Sequence, residues 1–286
     1  RNKENQKDFR KMSLIGKIKK GIRFLKRKEQ VPIMKVATSD DLLENHVALI
    51  TGGNSGIGFA IAQKFVESGC AVIIAGRNEL KLQNCVKILG EKAKYIALDV
   101  SDINDIKRKI PAAMELFPRK IDILVNCAGV GVKHSFWDID EKEYDDIMNT
   151  NTRGMFFVSQ LVSKYMVDNH IHGHILNISS SSGARPAWTP YEMSKWAVNG
   201  FTRGLADTLI QYGVVVNAIA PGPTVTPMIN KNNGDNLYSE RSLAKRFIMP
   251  EEIANLAIFL VSDAGNMIVG DTVYCSGGSG VITLHN

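Results

Sequence analysis

The sequence predicts a single α/β domain built on a doubly wound, seven-stranded parallel sheet with helices on both faces, preceded by a basic arm. Three observations lead there. Short apolar, β-branched runs alternate with helical patterns from Asn45 onwards, a strand–helix–strand unit repeated six times, which implies parallel strands joined by crossover helices. A glycine-rich turn, Gly52-Gly53-Asn54-Ser55-Gly56-Ile57-Gly58, stands between the first strand and the first helix. No stretch reaches the run of about 18 apolar residues that a membrane span needs. A chain of 286 residues with 44% hydrophobic residues is ample for one such core.

The arm, residues 1–44, comes first. Residues 1–28 carry twelve Lys and Arg against Glu4 and Asp8, while the rest of the chain has 23 basic and 27 acidic residues. The net charge of +6 therefore belongs to the arm, and the mildly acidic remainder, residues 29–286, has no compositional support for nucleic-acid binding. Leu14, Ile15, Ile18, Ile22 and Leu25 follow helical spacing, with basic residues mostly on the other face; Gly16 and Gly21 weaken this short amphipathic helix and Pro32 closes it. One expectation is weak contact with an anionic membrane surface; the other is an extension packed on its own subunit or a neighbour, or simply frayed. The chain opens on Arg1, Met12 could serve as a natural start, and neither the apolar core nor the cleavage site of a secretory leader is evident.

In the body, residues 45–286, strands are expected at Val47–Thr51, Ala71–Ala75, Tyr95–Asp99, Ile121–Asn126, His174–Ser179, Val214–Ile219 and Thr272–Tyr274. Helices are expected at Ile57–Glu67, Glu79–Leu89, Ile103–Leu116, Glu141–Val167, Pro190–Tyr212 and Pro250–Val261. The fifth of these is the best signalled. Thr189 and Glu192 have capping-box spacing, Pro190 takes the first helical position, and Met193, Ala197, Phe201, Leu205 and Leu209 recur at helical spacing before Gly213. Cys70, Cys85, Cys127 and Cys275 are scattered, so neither a metal site nor a disulfide framework is expected, and a reducing cytoplasm is the default location.

Two stretches carry chemistry. In the Gly52–Gly58 turn, glycines permit a tight bend and close backbone approach, and the helix that follows offers free N–H groups to a pyrophosphate. At the end of the second strand, where NAD sites usually carry an acidic residue, the chain has Ala75-Gly76-Arg77-Asn78. Gly76 leaves room for a ribose 2′-phosphate and Arg77 can pair with it, so NADP(H) is favoured over NAD(H). In the second stretch, Thr189–Lys195, Tyr191 and Lys195 lie four residues apart and share one helix face. A free tyrosine has a pKa of about 10; a lysine ammonium one turn away is expected to pull it down and make an acid/base pair.

Thr51-Gly-x-x-x-Gly-Ile-Gly58, Asn126-Cys127-Ala128-Gly129, Asn151, Ile178-Ser179-Ser180, Tyr191-x-x-x-Lys195 and Pro221-Gly222 stand in the order seen in short-chain dehydrogenases/reductases, classical branch, and the chain resembles that family over about residues 45–280. Gly277-Gly278 and Pro250-Glu251-Glu252-Ile253-Ala254 extend the likeness; the arm lies outside it. The resemblance implies a single-domain Rossmann fold. It implies that Tyr191 is the catalytic acid/base, that Lys195 lowers its pKa and binds the nicotinamide ribose, and that Ser180 holds the substrate oxygen. Asn151 would order a water relaying protons to Lys195. Cofactor contacts are implied for Gly52, Asn54, Ser55, Gly56, Ile57, Gly58, Arg77, Asp99, Val100, Asn126, Ala128, Gly129, Pro221, Gly222 and Thr226, besides Tyr191 and Lys195. No metal is implied. Two departures stand out: Cys127 occupies a position that is often Asn in the family and is expected to be a buried, inert thiol, and Ser180 precedes Tyr191 by only 11 residues, leaving Ser179 as an alternative.

The implied activity is hydride transfer between nicotinamide and a small carbonyl or alcohol, such as a 3-ketoacyl or sugar-derived compound. The alternative is a non-catalytic NADP(H)-binding regulator of the same fold; the full set Asn151, Ser180, Tyr191 and Lys195 argues for the enzyme. Substrate walls are expected from Val130–Trp137, Ala184–Thr189 and Pro223–Arg246, with Asn232–Asn236 as a lid. His134, Arg185 and Trp188 are candidates to touch substrate, Arg185 hinting at an anionic or polyhydroxylated one. Homo-oligomerisation, as tetramer or dimer, is implied through the helices near Glu141–Val167 and Pro190–Tyr212.

Overall fold

The computed structural model describes residues 42–229, 236–240 and 242–282. The basic arm up to residue 41, and Asn232–Asp235 of the expected lid, lie outside the described residues. The strands are β1 (Val47–Thr51), β2 (Ala71–Gly76), β3 (Ala93–Ala97), β4 (Ile123–Asn126), β5 (His174–Ile178), β6 (Val215–Ile219) and β7 (Thr272–Val273). They form one sheet in the order β3-β2-β1-β4-β5-β6-β7, every pair parallel. The helices are α1 (Gly56–Glu67), α2 (Glu79–Leu89), α3 (Ile103–Met114), α4 (Glu141–Met148), α5 (Met155–Asp168), α6 (Pro190–Leu209) and α7 (Pro250–Val261).

Strands buried on both faces read as continuous apolar runs, and β1, Val-Ala-Leu-Ile-Thr, is buried throughout. Its period of two divides it between layers. Ala48 and Ile50 belong to the core with Ile61 and Phe65 of α1 and Ile253 and Ile258 of α7. Val47 and Leu49 belong to the opposite core with Ile106 of α3, Val158 and Val162 of α5 and Leu209 of α6. Each fully buried Ile or Leu contributes about 1.5–3 kcal/mol, so the two layers lock the sheet and the ends of its strands.

Two elements differ from expectation in ways that matter. β3 is not Tyr95–Asp99 but Ala93–Ala97, because its neighbour sets the pairing: Val72 pairs with Ala93 and Gly76 with Ala97. Asp99 thus falls past the strand, where its N–H is taken by the Asp105 carboxylate at 2.9 Å. The helix expected over Glu141–Val167 is broken by a π-helical stretch, Asn149–Gly154, between α4 and α5. Such insertions frequently mark functional positions, and Asn151 lies inside this one. Gly154 then lets the helix approach β3's exit, since a Cβ there would stand 2.3 Å from the Val100 carbonyl oxygen.

α6 begins as its sequence dictates. The Thr189 N–H donates to the Glu192 carboxylate at 3.2 Å, its hydroxyl donates to the same oxygen, and Pro190 starts the helix. A short 3₁₀ turn, Ile210–Tyr212, ends at Gly213 with φ of 76°.

Candidate active site

Strand order reverses between β1 and β4, and ligands of such sheets bind at the carboxyl ends there. The glycine turn, the β4 exit and the β5–α6 connection all meet at that point. Gly52 has φ of 68°, and a Cβ on it would stand 2.9 Å from the Ala128 backbone N; one on Gly58 would stand 2.4 Å from the Gly52 carbonyl oxygen. Backbone, with no side chain between, forms this cradle. Ser55 precedes α1 in extended conformation without a side-chain cap, leaving the amides of Gly56, Ile57 and Gly58 to a ligand before Phe59 N–H donates to the Ser55 carbonyl. The residues fit the pyrophosphate of a dinucleotide. Across the turn, a Cβ at Gly76 would stand 3.1 Å from the Asn54 side chain, and Arg77 beside it is exposed, with no ion pair among the described residues.

The β4 exit is fastened by a hydroxyl that sequence reading passed over. Thr51 Oγ1 accepts from the N–H groups of Cys127 (3.1 Å) and Ala128 (3.2 Å) and donates to the Val125 carbonyl. Asn126 donates to Ser159 Oγ (2.8 Å) and to Asn177 Oδ1 (2.9 Å), and Asn177 donates to Thr202. This buried polar row ties β4 and β5 to α5 and α6. Burial of the thiol pushes Cys127 up to about 12, so it stays protonated at neutral pH, although the residue as a whole is only half-buried. Asp99 accepts from the backbone and hydroxyl of Ser101. Gly222 meets the chain after β7, its N–H donating to the Cys275 carbonyl at 3.0 Å, and Thr226 lies against Gly56.

Tyr191, Ser180, Lys195 and Asn151 converge. Asn151 is fully buried; its Oδ1 accepts from Val130 N–H (2.8 Å), and its amide donates to the Val130 carbonyl (3.0 Å) and Ser194 Oγ (3.1 Å). Gly129 lies against both Asn151 Oδ1 and Lys195 Nζ. Lys195 Nζ donates to the Ile178 carbonyl at 3.0 Å and stands 5.7 Å from the centroid of the Tyr191 ring. The two serines separate cleanly. Ser179 donates to Asn199 Oδ1 (2.6 Å) and the Lys195 carbonyl (3.3 Å), whereas the Ser180 hydroxyl lies on the Tyr191 side, where it pulls the phenol's pKa down. Asn199 lies one turn beyond Lys195 and two beyond Tyr191 on the same face, the one sequence signal that marks it, and Ser194 joins Asn151 to the Tyr191 carbonyl.

The electrostatics correct one expectation. Burial holds the Tyr191 phenol above its ordinary range, with the Ser180 hydrogen bond pulling down and the Glu192 carboxylate pushing up. Lys195 does not depress it. The lysine itself is pushed down to about 8 by burial, and among the described residues no carboxylate acts on it. Two of the residues expected near substrate have partners within the chain. The Arg185 guanidinium donates to Ser279 Oγ at 2.5 Å and is directed to the C-terminal segment. His134 Nδ1 pairs with Glu143 at the surface, 2.5 Å apart, where Glu143 also accepts from the Lys133 N–H. Trp188 is exposed.

A profile described as short chain dehydrogenase matches residues 46–237. The 3-oxoacyl-(acyl-carrier-protein) reductase of Thermotoga maritima is 35% identical over 244 residues, 82% of this chain and 98% of its own. Gluconate 5-dehydrogenase of Gluconobacter oxydans is 34% identical over 240 residues, 81% of this chain and 93% of its own. Among solved structures, the 3-ketoacyl-(acyl-carrier-protein) reductase of Brucella melitensis, complexed with NADH, superimposes with a TM-score of 0.77 at 30% identity, covering 84% of this chain and all of that one.

Proposed function

This chain belongs to the short-chain dehydrogenase family and is an oxidoreductase, and on that premise we propose that it transfers a hydride between NADP(H) and a small carbonyl or alcohol, with Tyr191 as acid/base. The observation that carries the reading is Lys195 Nζ 5.7 Å from the centroid of the Tyr191 ring, with the Ser180 hydroxyl acting on the same phenol, at the sheet end that holds the glycine cradle. When bound, the nicotinamide supplies or takes up the hydride. This chain's residues handle the oxygen. In reduction, negative charge grows on the carbonyl oxygen, and a proton donor and a hydrogen-bond donor are needed together. Tyr191 donates the proton, which its raised pKa keeps in place at neutral pH. Ser180 steadies the same oxygen. Lys195, one helical turn away, would bind the nicotinamide ribose, and Asn151 orders the proton relay that recharges Tyr191.

NADP(H) over NAD(H) rests on Arg77, exposed beside Gly76 with no carboxylate paired to it among the described residues. The NADH in the Brucella structure belongs to that protein. Gly52, Asn54, Ser55, Gly56, Ile57 and Gly58 would hold the pyrophosphate, Asp99 and Val100 the adenine, and Asn126, Ala128, Gly129, Pro221, Gly222 and Thr226 the nicotinamide half. A homo-oligomer, tetramer or dimer, would form through α5 and α6. There the Phe156 and Phe201 rings lie 5.4 Å apart, and a Cβ on Gly200 or Gly204 would meet nothing within 4 Å, so a second copy's helix can come close. Light scattering checks the number. Among the described residues no helix is long and apolar enough to cross a membrane; a cytoplasmic location is part of this proposal, supported by the scattered cysteines.

The test is a panel of ketoacyl, sugar-derived and simple carbonyl and alcohol substrates with both cofactors, followed by absorbance of the reduced nicotinamide. Tyr191→Phe is expected to lose about 10²–10⁴-fold in turnover while NADPH still binds. Turnover that survives this substitution refutes the assignment.

A further inference from the structure

The turn that carries Ser180 is held from two sides. Below it, Ser181 N–H donates to the Pro221 carbonyl at 2.7 Å and Asn199 donates to the Gly183 carbonyl at 3.2 Å. At its exit, Trp196 Nε1–H donates to the Arg185 carbonyl at 2.7 Å. From the other side comes the C-terminal segment. Gly277, Gly278 and Gly280, all with positive φ, bend it back across the turn. The Gly277 carbonyl accepts from Ala244 N–H (3.1 Å) and Ser242 Oγ (3.2 Å). Gly280 approaches so closely that a Cβ would stand 2.8 Å from the Ser181 carbonyl oxygen and 2.5 Å from Arg185 Nε. Among the described residues, the Arg185 guanidinium makes the side-chain hydrogen bond between turn and tail, to the buried hydroxyl of Ser279.

We propose that Arg185 is a positioning residue: by clasping the C-terminal segment through Ser279, it fixes where the Ser180 hydroxyl stands relative to Tyr191. The proposal rests on the reading of Ser180 and Tyr191 as the working pair. Ser180 is the cap of the Ser181–Ala184 3₁₀ turn, its Oγ accepting from Ser182 N–H at 3.1 Å. A shift of the turn therefore moves the hydroxyl with it. The Arg185 side chain itself is directed at the tail, so it acts through the turn and not on substrate. A misplacement of about 1 Å near reacting atoms is enough to lower rates by up to about a hundredfold. The same clasp makes the tail, which carries no catalytic group, a part of the site's support.

The test compares Arg185→Ala, Ser279→Ala and Arg185→Lys with the wild type in the full chain, using NADPH and the best carbonyl of the panel. Amide hydrogen exchange is measured over Ser179–Arg185. The expected result is a fall in kcat of about tenfold in both alanine variants, with NADPH affinity unchanged and faster exchange at Ser181–Arg185. Arg185→Lys, which keeps a donor for Ser279, recovers most of the rate. The proposal is overturned if kcat stays within about twofold of wild type in the alanine variants. It is equally overturned if exchange at the turn is unchanged, or if melting temperature and NADPH affinity fall in step with kcat. Wild-type protein that binds NADPH but reduces no carbonyl strikes the reductase reading alone; exchange at the turn then still decides the clasp.

Discussion

Lys195 is a buried cation without a carboxylate partner among the described residues, and this has a thermodynamic signature. Burial pushes its pKa from 10.5 down to about 8. The difference of roughly 2.5 units corresponds to about 3 kcal/mol by which the charged form opposes folding. The sign follows from proton counts: between about pH 8 and 10.5 the unfolded chain holds a proton on this amine that the folded protein lacks, so stability rises with pH across that window. Lys195→Met removes the charge at every pH. It also leaves the Ile178 carbonyl, now the acceptor of Lys195 Nζ at 3.0 Å, without its donor, a loss of about 1–3 kcal/mol that does not depend on pH. The net change at neutral pH is therefore small, and the informative quantity is the difference between two pH values. Urea unfolding of wild type and variant at about pH 7 and pH 10.5 should show the gap between them shifting by about 3 kcal/mol in favour of wild type at the higher pH. A gap that is the same at both values would mean that the amine is not desolvated in the folded protein, and the account of Lys195 would be wrong.

Three further outcomes are expected. Arg77→Ala should weaken NADPH binding by about 10–100-fold, as loss of a charge-assisted contact of about 1.5–3 kcal/mol, and leave NADH binding nearly unchanged in fluorescence titrations; equal effects on both refute the role of Arg77. Gly58→Ala places a methyl 2.4 Å from the Gly52 carbonyl oxygen, so the cradle must open; calorimetry should show about tenfold or more lost in nucleotide affinity, with about 1–3 kcal/mol of stability lost to overpacking. At the opposite end of the sheet, His46 Nδ1 pairs with Asp122 at 2.7 Å, with Asp263 and His174 nearby. The pair raises the His46 pKa, so its contribution is full below the unfolded value and is lost as pH rises through the folded one. His46→Gln should reduce stability by ~1 kcal/mol at acidic pH and by less at alkaline pH, read from the midpoint of urea unfolding.

The order of strands and helices was legible because each burial pattern is local: β1 is apolar throughout, and α6 announces itself through Thr189, Pro190 and Glu192. Tyr191 and Lys195 were legible for the same reason, being one helical turn apart. β3 was misplaced by two residues because its ends are set by β2, a partner far along the chain, and not by its own residues. The break at Asn149–Gly154 was invisible because it depends on what Asn151 reaches, the backbone of Val130 and the hydroxyl of Ser194.

By itself, then, the sequence determined the fold class, the glycine cradle and the helix that carries the acid/base pair, since these depend on periodicity and on residues close in the chain. Which serine faces Tyr191, what Arg185 holds, and whether Lys195 depresses the phenol were decided only in three dimensions. Each depends on burial and on partners brought from other strands and from the C-terminal segment, and a charge or hydroxyl takes its behaviour from those neighbours.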